Sequence, residues 1–340
     1  MSAALPIFEH TDPSDLTKKD FTSDQEVRWC PGCGDYSILA QVQRTLPTLG
    51  VPREKHVVVG GIGCSSRFPY YMDTYGLHTI HGRAPAFATG IKTSRPELMV
   101  WVITGDGDGL SIGGNHLLHV LRRNVNLNIL LFNNRIYGLT KGQYSPTSPE
   151  GIRTASTPVG SVDHPVDPLR FTLGAGATFV ARVVDVDAKH FQEILKRAAA
   201  HEGTSFVEIL QNCPIYNDGA FAQLADRKQR PEHALYLRHG EKLVFGPEKE
   251  HGLAMDETFQ PKVVAADDPA VLSHDETSEA MAQFLSRCAA NGLPTPLGVI
   301  RAVEKSTYET AVNAQIDEQR EKRATTLQAL LETGGTWTVE

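Results

Sequence analysis

The sequence predicts an α/β fold built on a mostly parallel sheet with crossover helices. Three apolar runs of strand length, at residues 56–60, 98–104 and 128–133, lack the alternation of apolar and polar residues that half-buried strands show. Such runs are typical of strands that are buried on both faces. A fourth apolar run, at 205–210, follows a segment with helical spacing, and this alternation of strands and helices predicts parallel pairing.

Helices are predicted where apolar residues recur three and four positions apart. Two such stripes lie in the first half of the chain, and a third follows Asp187, whose side chain is a suitable N-cap. The stripes consist of Ile38, Leu39, Val42 and Leu46, of Leu110, Gly114, Leu117, Leu118 and Leu121, and of Phe191, Ile194, Leu195 and Ala198.

The sequence pattern divides the chain into three regions. Residues 1–24 form an N-terminal extension, residues 25–217 carry the strand–helix alternation, and residues 218–340 are expected to form a peripheral C-terminal subdomain. Within the second region, residues 137–168 contain five prolines and no clear element, and a long connection of this kind is usually functional or mobile. The C-terminal region has weaker predicted elements, namely β-like pieces near 235–245 and helices near 276–290 and 306–333.

Charge and composition exclude several classes of protein. The 340 residues include 33 Lys and Arg against 40 Asp and Glu, a net charge of −7, which argues against nucleic-acid binding through phosphate contacts. No apolar run approaches the roughly 20 residues that span a bilayer, so no membrane contact is predicted. The five cysteines are too few for a disulfide scaffold and the first residues lack an apolar leader, so a cytoplasmic location is expected.

Polar residues follow two successive predicted strands. Gly105-Asp106-Gly107 comes directly after one strand, and Asn133-Asn134 comes at the end of the next. Ligands of open α/β sheets bind at the carboxyl ends of strands, and Mg²⁺ prefers hard oxygen ligands, some of them from phosphates. Asp106, Asn134 and a backbone carbonyl just beyond would supply such oxygens. Each turn by itself is common, but the pair on successive strands favours a magnesium–diphosphate site.

These motifs resemble a known family. A Gly-Asp-Gly that is followed on the next strand by Asn-Asn is the thiamine-diphosphate motif. Its context here, Thr104-Gly-Asp-Gly-Asp-Gly with Ile112-Gly-Gly-Asn-His, resembles the β subunits of the 2-oxoacid:ferredoxin oxidoreductases. The resemblance covers roughly residues 25–225, and the tail extends in the manner of the 2-oxoglutarate branch. It implies the diphosphate-binding half of the thiamine-diphosphate fold.

The resemblance also implies which residues bind the cofactor. For thiamine diphosphate they are Ile62, Gly63, Cys64, Ser65, His81, Gly82, Gly105, Gly107, Asp108, Gly138, Leu139 and Thr140. For Mg²⁺ they are Asp106, Asn134 and Ile136. His81 is the catalytic candidate among them, through contact with the cofactor, although a single histidine is by default a structural residue.

Four cysteines form a candidate redox set. Cys30 and Cys33 form a CxxC pair, Cys64 lies in a glycine-rich turn, and Cys213 follows a predicted strand. Four thiolates suit either a [4Fe–4S] cluster or Zn²⁺, and their spacing leaves both open. The resemblance implies the [4Fe–4S] cluster, next to thiamine. Cys288, in an Ala-rich helical segment, is expected to be a buried structural thiol.

Two basic residues near the predicted cofactor turns are candidates for contact with substrates. Arg67 follows the first of these turns, and an arginine fork can bind a carboxylate through two hydrogen bonds, as a dicarboxylate substrate would require. Lys141 matches a position that the family links to coenzyme A. His116 and His119 lie on one helix face with no third partner, so they are expected to be packing or surface residues.

The resemblance implies the catalytic β subunit of an enzyme that converts 2-oxoglutarate, coenzyme A and oxidised ferredoxin to succinyl-CoA, CO2 and reduced ferredoxin, reversibly. In thiamine enzymes the activating glutamate belongs to a separate pyrimidine-binding domain. An α subunit is therefore expected as partner, in an (αβ)2 assembly. One alternative is a subunit with pyruvate or broad 2-oxoacid specificity. Two others are a non-redox thiamine lyase or synthase with structural zinc, and a non-catalytic assembly subunit.

Overall fold

The computed structural model describes residues 12–322 and 326–339, so part of the predicted N-terminal extension, 1–24, lies outside the described residues. Its strands are β1 His56–Gly60, β2 Tyr75–His78, β3 Met99–Gly105, β4 Leu127–Asn133, β5 Phe179–Val184, β6 Thr204–Leu210, β7 Ala234–Tyr236, β8 Val244–Phe245, β9 His251–Met255, β10 Pro261–Ala265 and β11 Thr295–Ala302. Its α-helices are α1 Asp35–Thr45, α2 Ala84–Ser94, α3 Gly114–Arg123, α4 Pro168–Gly174, α5 Ala188–Ala200, α6 Ala222–Ala225, α7 Arg230–His233, α8 Glu279–Ser286, α9 Tyr308–Lys322 and α10 Leu327–Glu332.

A single eight-stranded sheet organises the chain, in the order β2-β1-β3-β4-β6-β5-β11-β7. Every neighbouring pair is parallel except β5 and β11, which are antiparallel. This arrangement confirms the predicted α/β class and the mostly parallel sheet. Strands β1, β4, β5 and β6 are buried along their whole length. The largely apolar runs of β1, β4 and β6 predict this burial.

Three strands of the sheet, β2, β5 and β11, were not expected from the sequence. β2 lies at the edge and is mostly exposed, so it carries no apolar run. β5 is interrupted by Arg182, whose Nε donates to Oε2 of Glu208 in β6 at 2.6 Å. Both side chains are buried, because the ion pair allows each charge to lie inside the sheet. Because the charged Arg182 interrupts the apolar pattern, the sequence did not predict this interior strand.

Helices cover both faces of the sheet. Helices α1 and α5 pack on one face, where Ile38 and Phe191 belong to a core with Trp101. Helices α2 and α3 pack on the other face, where Ala88 and Leu117 belong to a second core. The predicted N-cap of α5 is confirmed, since Asp187 accepts a hydrogen bond from the third residue of the helix. The stripes are confirmed except at Leu118, which is 37% exposed.

The region after residue 217 joins the main sheet through β7 and β11. It also forms a separate antiparallel sheet of β8, β9 and β10, and its predicted helices appear as α8, α9 and α10. Whether 218–340 forms an independent subdomain stays a prediction. Within the part of the chain that the structure describes, none of the helices is long and apolar enough to cross a membrane.

Candidate functional site

Loops from the carboxyl ends of β1, β2, β3, β4 and β6 converge and line one cavity. Its lining residues are Ile62, Gly63, Cys64, Ser65, His81, Gly105, Asp106, Gly107, Asp108, Phe132, Asn134, Ile136, Tyr137, Gly138, Leu139, Thr140 and Gln211. The structure therefore brings together all the residues predicted for thiamine diphosphate and Mg²⁺ except Gly82. The backbone N–H of Gly82 donates a hydrogen bond to Asp108, which does line the cavity. The carboxyl edge of a parallel sheet is where ligands of such folds bind.

Asp106 and Asn134 supply oxygen atoms to this cavity from adjacent strands. Asp106 is 2% exposed, and its Oδ2 accepts hydrogen bonds from Ser145 Oγ at 2.5 Å and Thr147 Oγ1 at 2.6 Å. Burial raises the pKa of Asp106 to about 6, although both hydroxyl groups act in the opposite direction. Asn134 Oδ1 accepts from the backbone N–H of Ile136 at 3.1 Å. These hydrogen bonds fix the orientation of both oxygen-bearing side chains at the cavity.

The hydroxyl groups that hold Asp106 belong to the proline-containing connection between β4 and α4. Thr147 Oγ1 also lies 2.9 Å from Asn133 Oδ1, and Ser148 Oγ donates to the carbonyl of Arg135 at 2.6 Å. The segment 145–148 is thus attached to the carboxyl ends of both β3 and β4. Its signal in the sequence, Ser-Pro-Thr-Ser in a connection already noted as functional or mobile, did not identify what these hydroxyls contact.

Replacing Thr147 tests whether this attachment orients Asp106. We expect Thr147→Val, which keeps the shape but removes the hydroxyl, to weaken Mg²⁺-dependent binding of thiamine diphosphate about tenfold, because partners of ligating groups commonly contribute 10–100-fold to metal affinity. Thr147→Ser keeps the hydroxyl and should bind like the wild type. Titration of the cofactor against tryptophan fluorescence at several Mg²⁺ concentrations measures both. Equal affinity in the valine variant would contradict this role.

Asp108 connects three loops at the cavity. Its Oδ1 accepts from the backbone N–H of Ile62 at 3.0 Å and of Gly82 at 2.7 Å, and lies 2.6 Å from His81 Nδ1. Its Oδ2 accepts from Thr104 Oγ1 at 2.7 Å. Since a carboxylate has acceptors only, His81 donates from Nδ1, which leaves Nε2 for the cavity. Asp108, predicted to bind the cofactor, thus positions the loops around it and the His81 ring.

Glycine is required at two points of these loops by close approach of other groups. A Cβ on Gly107 would lie 2.1 Å from the ring of Tyr137, and a Cβ on Gly61 would lie 1.9 Å from Oδ2 of Asp108. Distances this short do not occur between real atoms, so a side chain at either position would displace the loop.

The four candidate cysteines gather beside this cavity. A Cβ built on Gly138 would lie 3.4 Å from Cys64 Sγ and 3.7 Å from Cys213 Sγ, so both sulfur atoms border one glycine. Burial raises the pKa of the Cys64 thiol to about 12, with smaller contributions from the nearby Cys213 and Cys30. Burial likewise raises the pKa of Cys33, and Cys64 acts in the same direction. The CxxC pair, Cys64 and Cys213 thus bring three distant parts of the sequence together here.

A different question is whether any group of side chains is placed to bind a single metal ion. Within residues 12–322 and 326–339, the structure contains no group of three or more His, Cys, Asp or Glu side chains placed to hold one metal ion.

Cys288 lies away from the other cysteines, in the core that includes α3, and its Sγ donates to the carbonyl of Phe284 at 3.8 Å. The predicted position of Cys288 as a buried thiol is thereby confirmed.

Two polar residues beside the cysteines were not expected from the sequence. Gln211 Nε2 lies 3.6 Å from Cys33 Sγ and donates to Asp35 Oδ1 at 2.7 Å. Asp35 is fully buried, and burial raises its pKa to about 7. The signal for Asp35 was its place two residues after a CxxC cysteine, at the start of α1, where an acidic residue passes for an ordinary helix N-terminal residue.

Arg67 and Lys141 lie in different surroundings. Arg67 lines a second cavity with Arg28, and this cavity shares Ile62, Gly63 and Leu139 with the first one. Arg67 is therefore placed next to the predicted cofactor cavity. Lys141 is exposed and lines neither of these two cavities. 

His116 and His119 are partly exposed, as expected for packing or surface residues. His116 contacts Arg83, the residue directly before helix α2.

Comparison with known proteins adds evidence of a different kind. A family model described as the C-terminal TPP binding domain of thiamine pyrophosphate enzymes matches residues 61–209. The chain is 52% identical to the 2-oxoglutarate oxidoreductase subunit KorB of Mycobacterium tuberculosis, over 95% of this chain and 88% of that relative. It is 37% identical to the 2-oxoacid:ferredoxin oxidoreductase subunit beta of Saccharolobus solfataricus, over 84% and 85% of the two chains.

A solved structure is similar over almost the whole chain. It is the 2-oxoglutarate:ferredoxin oxidoreductase from Magnetococcus marinus, with 2-oxoglutarate, coenzyme A and succinyl-CoA bound. The match has a TM-score of 0.78 and 33% identity, and it covers 97% of this chain and 99% of that one. The similarity therefore includes the region after residue 217 as well as the cavity.

Proposed function

The chain belongs to the β subunits of the 2-oxoacid:ferredoxin oxidoreductases, and we propose that it binds thiamine diphosphate in an enzyme that oxidises 2-oxoglutarate to succinyl-CoA. The observation that supports this substrate most directly is 52% identity, over nearly the full length, to a 2-oxoglutarate oxidoreductase subunit. The cavity at the carboxyl edge of the sheet supports the cofactor, together with the thiamine pyrophosphate family match. The relatives' names support redox chemistry rather than the non-redox lyase.

The residues around the cavity fit the cofactor and a magnesium ion. Asp106 and Asn134 are oxygen donors on adjacent strands, and we assign them and the backbone of Ile136 to Mg²⁺. Gly105 and Gly107 flank Asp106 and also line the cavity in which the diphosphate would lie. When bound, thiamine diphosphate serves as the electron sink for loss of CO2 from the 2-oxoacid.

The cysteine set fits an iron–sulfur cluster in its donor chemistry. Cys64 and Cys213 border Gly138, which itself lines the cofactor cavity, and Cys33 contacts Gln211 from the same cavity. We therefore assign Cys30, Cys33, Cys64 and Cys213 to a [4Fe–4S] cluster adjacent to the cofactor. Burial raises the pKa of Cys33 and of Cys64, which favours their protonated form in the metal-free chain, so cluster assembly must release protons at these two sulfur atoms.

As a β subunit, the chain works with an α subunit. We propose that the α subunit supplies the pyrimidine-binding domain with its activating glutamate, in an (αβ)2 assembly, and that ferredoxin accepts the electrons. In this chain, Asp108 holds His81 with Nε2 toward the cavity, where it can accept a hydrogen bond or a proton from the reacting groups. The Lys141 contact with coenzyme A stays a prediction from family resemblance.

Co-expression with the α subunit tests this function. The complex, purified without oxygen, should reduce ferredoxin when 2-oxoglutarate and coenzyme A are both present, and the chain by itself should not. A second candidate, broad 2-oxoacid specificity, is favoured by the Saccharolobus relative, so pyruvate is assayed in parallel. A complex with full cofactor content that oxidises neither 2-oxoacid would contradict the proposal and favour an assembly subunit.

Arg67 is the residue that we expect to distinguish the two substrates. 2-Oxoglutarate differs from pyruvate by a distal carboxylate, which needs a cationic partner once it leaves water. Arg67→Ala should lower kcat/KM for 2-oxoglutarate about 10- to 100-fold, the value of a charge-assisted hydrogen bond of about 1.5–3 kcal/mol, and hardly affect pyruvate.

The same cavity offers a matched control for Arg67. Arg28 lines it too, but its guanidinium is mostly exposed and pairs with Glu26 at 2.9 Å. Arg28→Ala should therefore leave kcat/KM unchanged for both 2-oxoglutarate and pyruvate. Equal losses for both substrates in Arg67→Ala, or no loss for either, would mean that the α subunit determines substrate choice.

A further inference from the structure

A separate cavity lies on the other side of the β4 end. Side chains alternate there between two sides of the chain. Phe132, Asn134 and Ile136 line the cofactor cavity, whereas Asn133 and Arg135 line this separate cavity. The two cavities share no lining residue. Three arginines, Arg135, Arg170 and Arg182, line the cavity that does not hold the cofactor residues, and we call it the arginine cavity.

Arg182 is a nearly buried cation at this cavity. It is 5% exposed, and its Nε donates to Glu208 Oε2 at 2.6 Å. The other oxygen of Glu208 accepts from Asn133 Nδ2 at 2.7 Å, so this carboxylate is fully bonded within the protein. In the part of the chain that the structure describes, the two Nη groups of Arg182 have no recorded partner. These Nη–H groups are therefore available to donate hydrogen bonds to a ligand inside the cavity.

Arg135 is a second cation without a carboxylate partner. Its guanidinium stacks on the ring of Phe221, 4.4 Å from the centroid, and burial lowers its pKa. Across residues 12–322 and 326–339 no hydrogen bond or ion pair to this guanidinium is recorded. The other carboxylate of the cavity, Asp167, caps helix α4 by accepting from the backbone N–H of Arg170 at 3.0 Å. Each acidic group of the cavity therefore already accepts at least one hydrogen bond from within the protein.

We propose that the arginine cavity binds a small oxyanion, a phosphate or a short carboxylate. Buried cations are costly unless they are paired, and the guanidinium group has the planar donor arrangement that oxyanions accept through two hydrogen bonds. Three arginines face two carboxylates, so one positive charge of the cavity is left over; both oxygens of Glu208 and Oδ1 of Asp167 already accept hydrogen bonds within the protein. Stacking on Phe221 fixes the plane of Arg135 before the anion arrives, which lowers the cost of ordering it.

Calorimetric titration with inorganic phosphate tests this site. The αβ complex is first loaded with Mg²⁺ and thiamine diphosphate, so that the diphosphate site is filled and cannot take up phosphate. We expect one saturable phosphate site per β chain. Arg135→Met should weaken its affinity about 10- to 100-fold, the factor that corresponds to a lost charge-assisted hydrogen bond.

Two further variants keep the test decisive. Arg170→Met removes an exposed side chain of the same cavity, so it should fold normally and also weaken phosphate binding. Arg153→Met removes an exposed arginine outside the cavity and should leave binding unchanged. The measurement needs no turnover, so failure of the proposed 2-oxoglutarate oxidation would not affect it.

Three outcomes would overturn the oxyanion site. The first is an absence of saturable phosphate binding to the loaded complex. The second is phosphate binding that both cavity variants leave unchanged. The third is binding by the cofactor-free complex alone, since that places phosphate in the diphosphate site. If the loaded wild type does not bind phosphate and Arg135→Met releases the α subunit on gel filtration, an acidic side chain of the α subunit fills the cavity instead.

Discussion

Asp106→Ala and Asn134→Ala should each abolish retention of thiamine diphosphate and Mg²⁺ while the fold stays intact. Each variant removes one of the oxygen ligands that we assign to the metal, and Mg²⁺ requires near-octahedral coordination that the remaining side chains cannot complete. In the aspartate variant, Ser145 and Thr147 also lose their acceptor, which weakens the attachment of their loop. Cofactor affinity should fall by more than the roughly 10–100-fold that removal of a supporting partner costs.

The measurement is cofactor content after dialysis of the αβ complex, with thermal unfolding as the check on the fold. Asp106→Asn is the matched variant, because an amide keeps an oxygen for the hydroxyl donors but removes the charge. Its affinity should lie between those of the wild type and the alanine variant. Iron content should be unchanged in all three, since the cysteines are intact. Full cofactor occupancy in either alanine variant would show that the magnesium assignment is wrong.

Serine at position 30, 33, 64 or 213 should eliminate the iron–sulfur cluster and, with it, ferredoxin reduction. A hydroxyl of nearly the same size replaces a thiolate ligand, so packing is preserved while the iron–sulfur bond is lost. The measurements are iron per complex and absorbance in the visible range. Cys30→Ser and Cys213→Ser should still retain thiamine diphosphate, because neither residue lines the cofactor cavity.

Cys288→Ser is the internal control for this series. Cys288 is completely buried in the apolar core, away from the cofactor cavity, and serine there can still donate to the carbonyl of Phe284. It should lower stability slightly and leave iron content and ferredoxin reduction unchanged. If Cys288→Ser lost iron and Cys213→Ser kept it, the fourth ligand would be assigned incorrectly. Tightly bound zinc in a colourless wild-type complex would favour the structural-zinc alternative.

Much of the fold was determined by local sequence patterns. The largely apolar runs of β1, β3, β4 and β6 predicted these strands to within one residue, because strands that are buried on both faces are rich in apolar side chains. The capping side chain of Asp187 and the apolar stripe behind it predicted α5 for equally local reasons. The motif Gly-Asp-Gly with Asn-Asn located the carboxyl ends of two adjacent strands, which is where the cavity lies.

Contacts between distant residues were decided only by the tertiary structure. The proline-containing connection has no helical or alternating pattern, so nothing local indicates that Ser145 and Thr147 reach Asp106. Arg182 interrupts an apolar run and hid β5, because only its pairing with Glu208 on the next strand makes burial of the charge tolerable. Side chains that act through such partners carry no periodicity along the chain.

The same division applies to the functional residues. Sequence alone, through motifs and resemblance, predicted the oxygen donors, the four cysteines and the cofactor turns, since each prediction depends on residue type at a recognisable spacing. It did not distinguish a ligand from a positioning residue, and Asp108 illustrates why. Its four hydrogen bonds come from residues 4 to 46 positions away, in β3 and in the loops that follow β1 and β2. Such a junction exists only once the sheet has brought its carboxyl ends together, because hydrogen bonds depend on distance in space and not on separation in sequence.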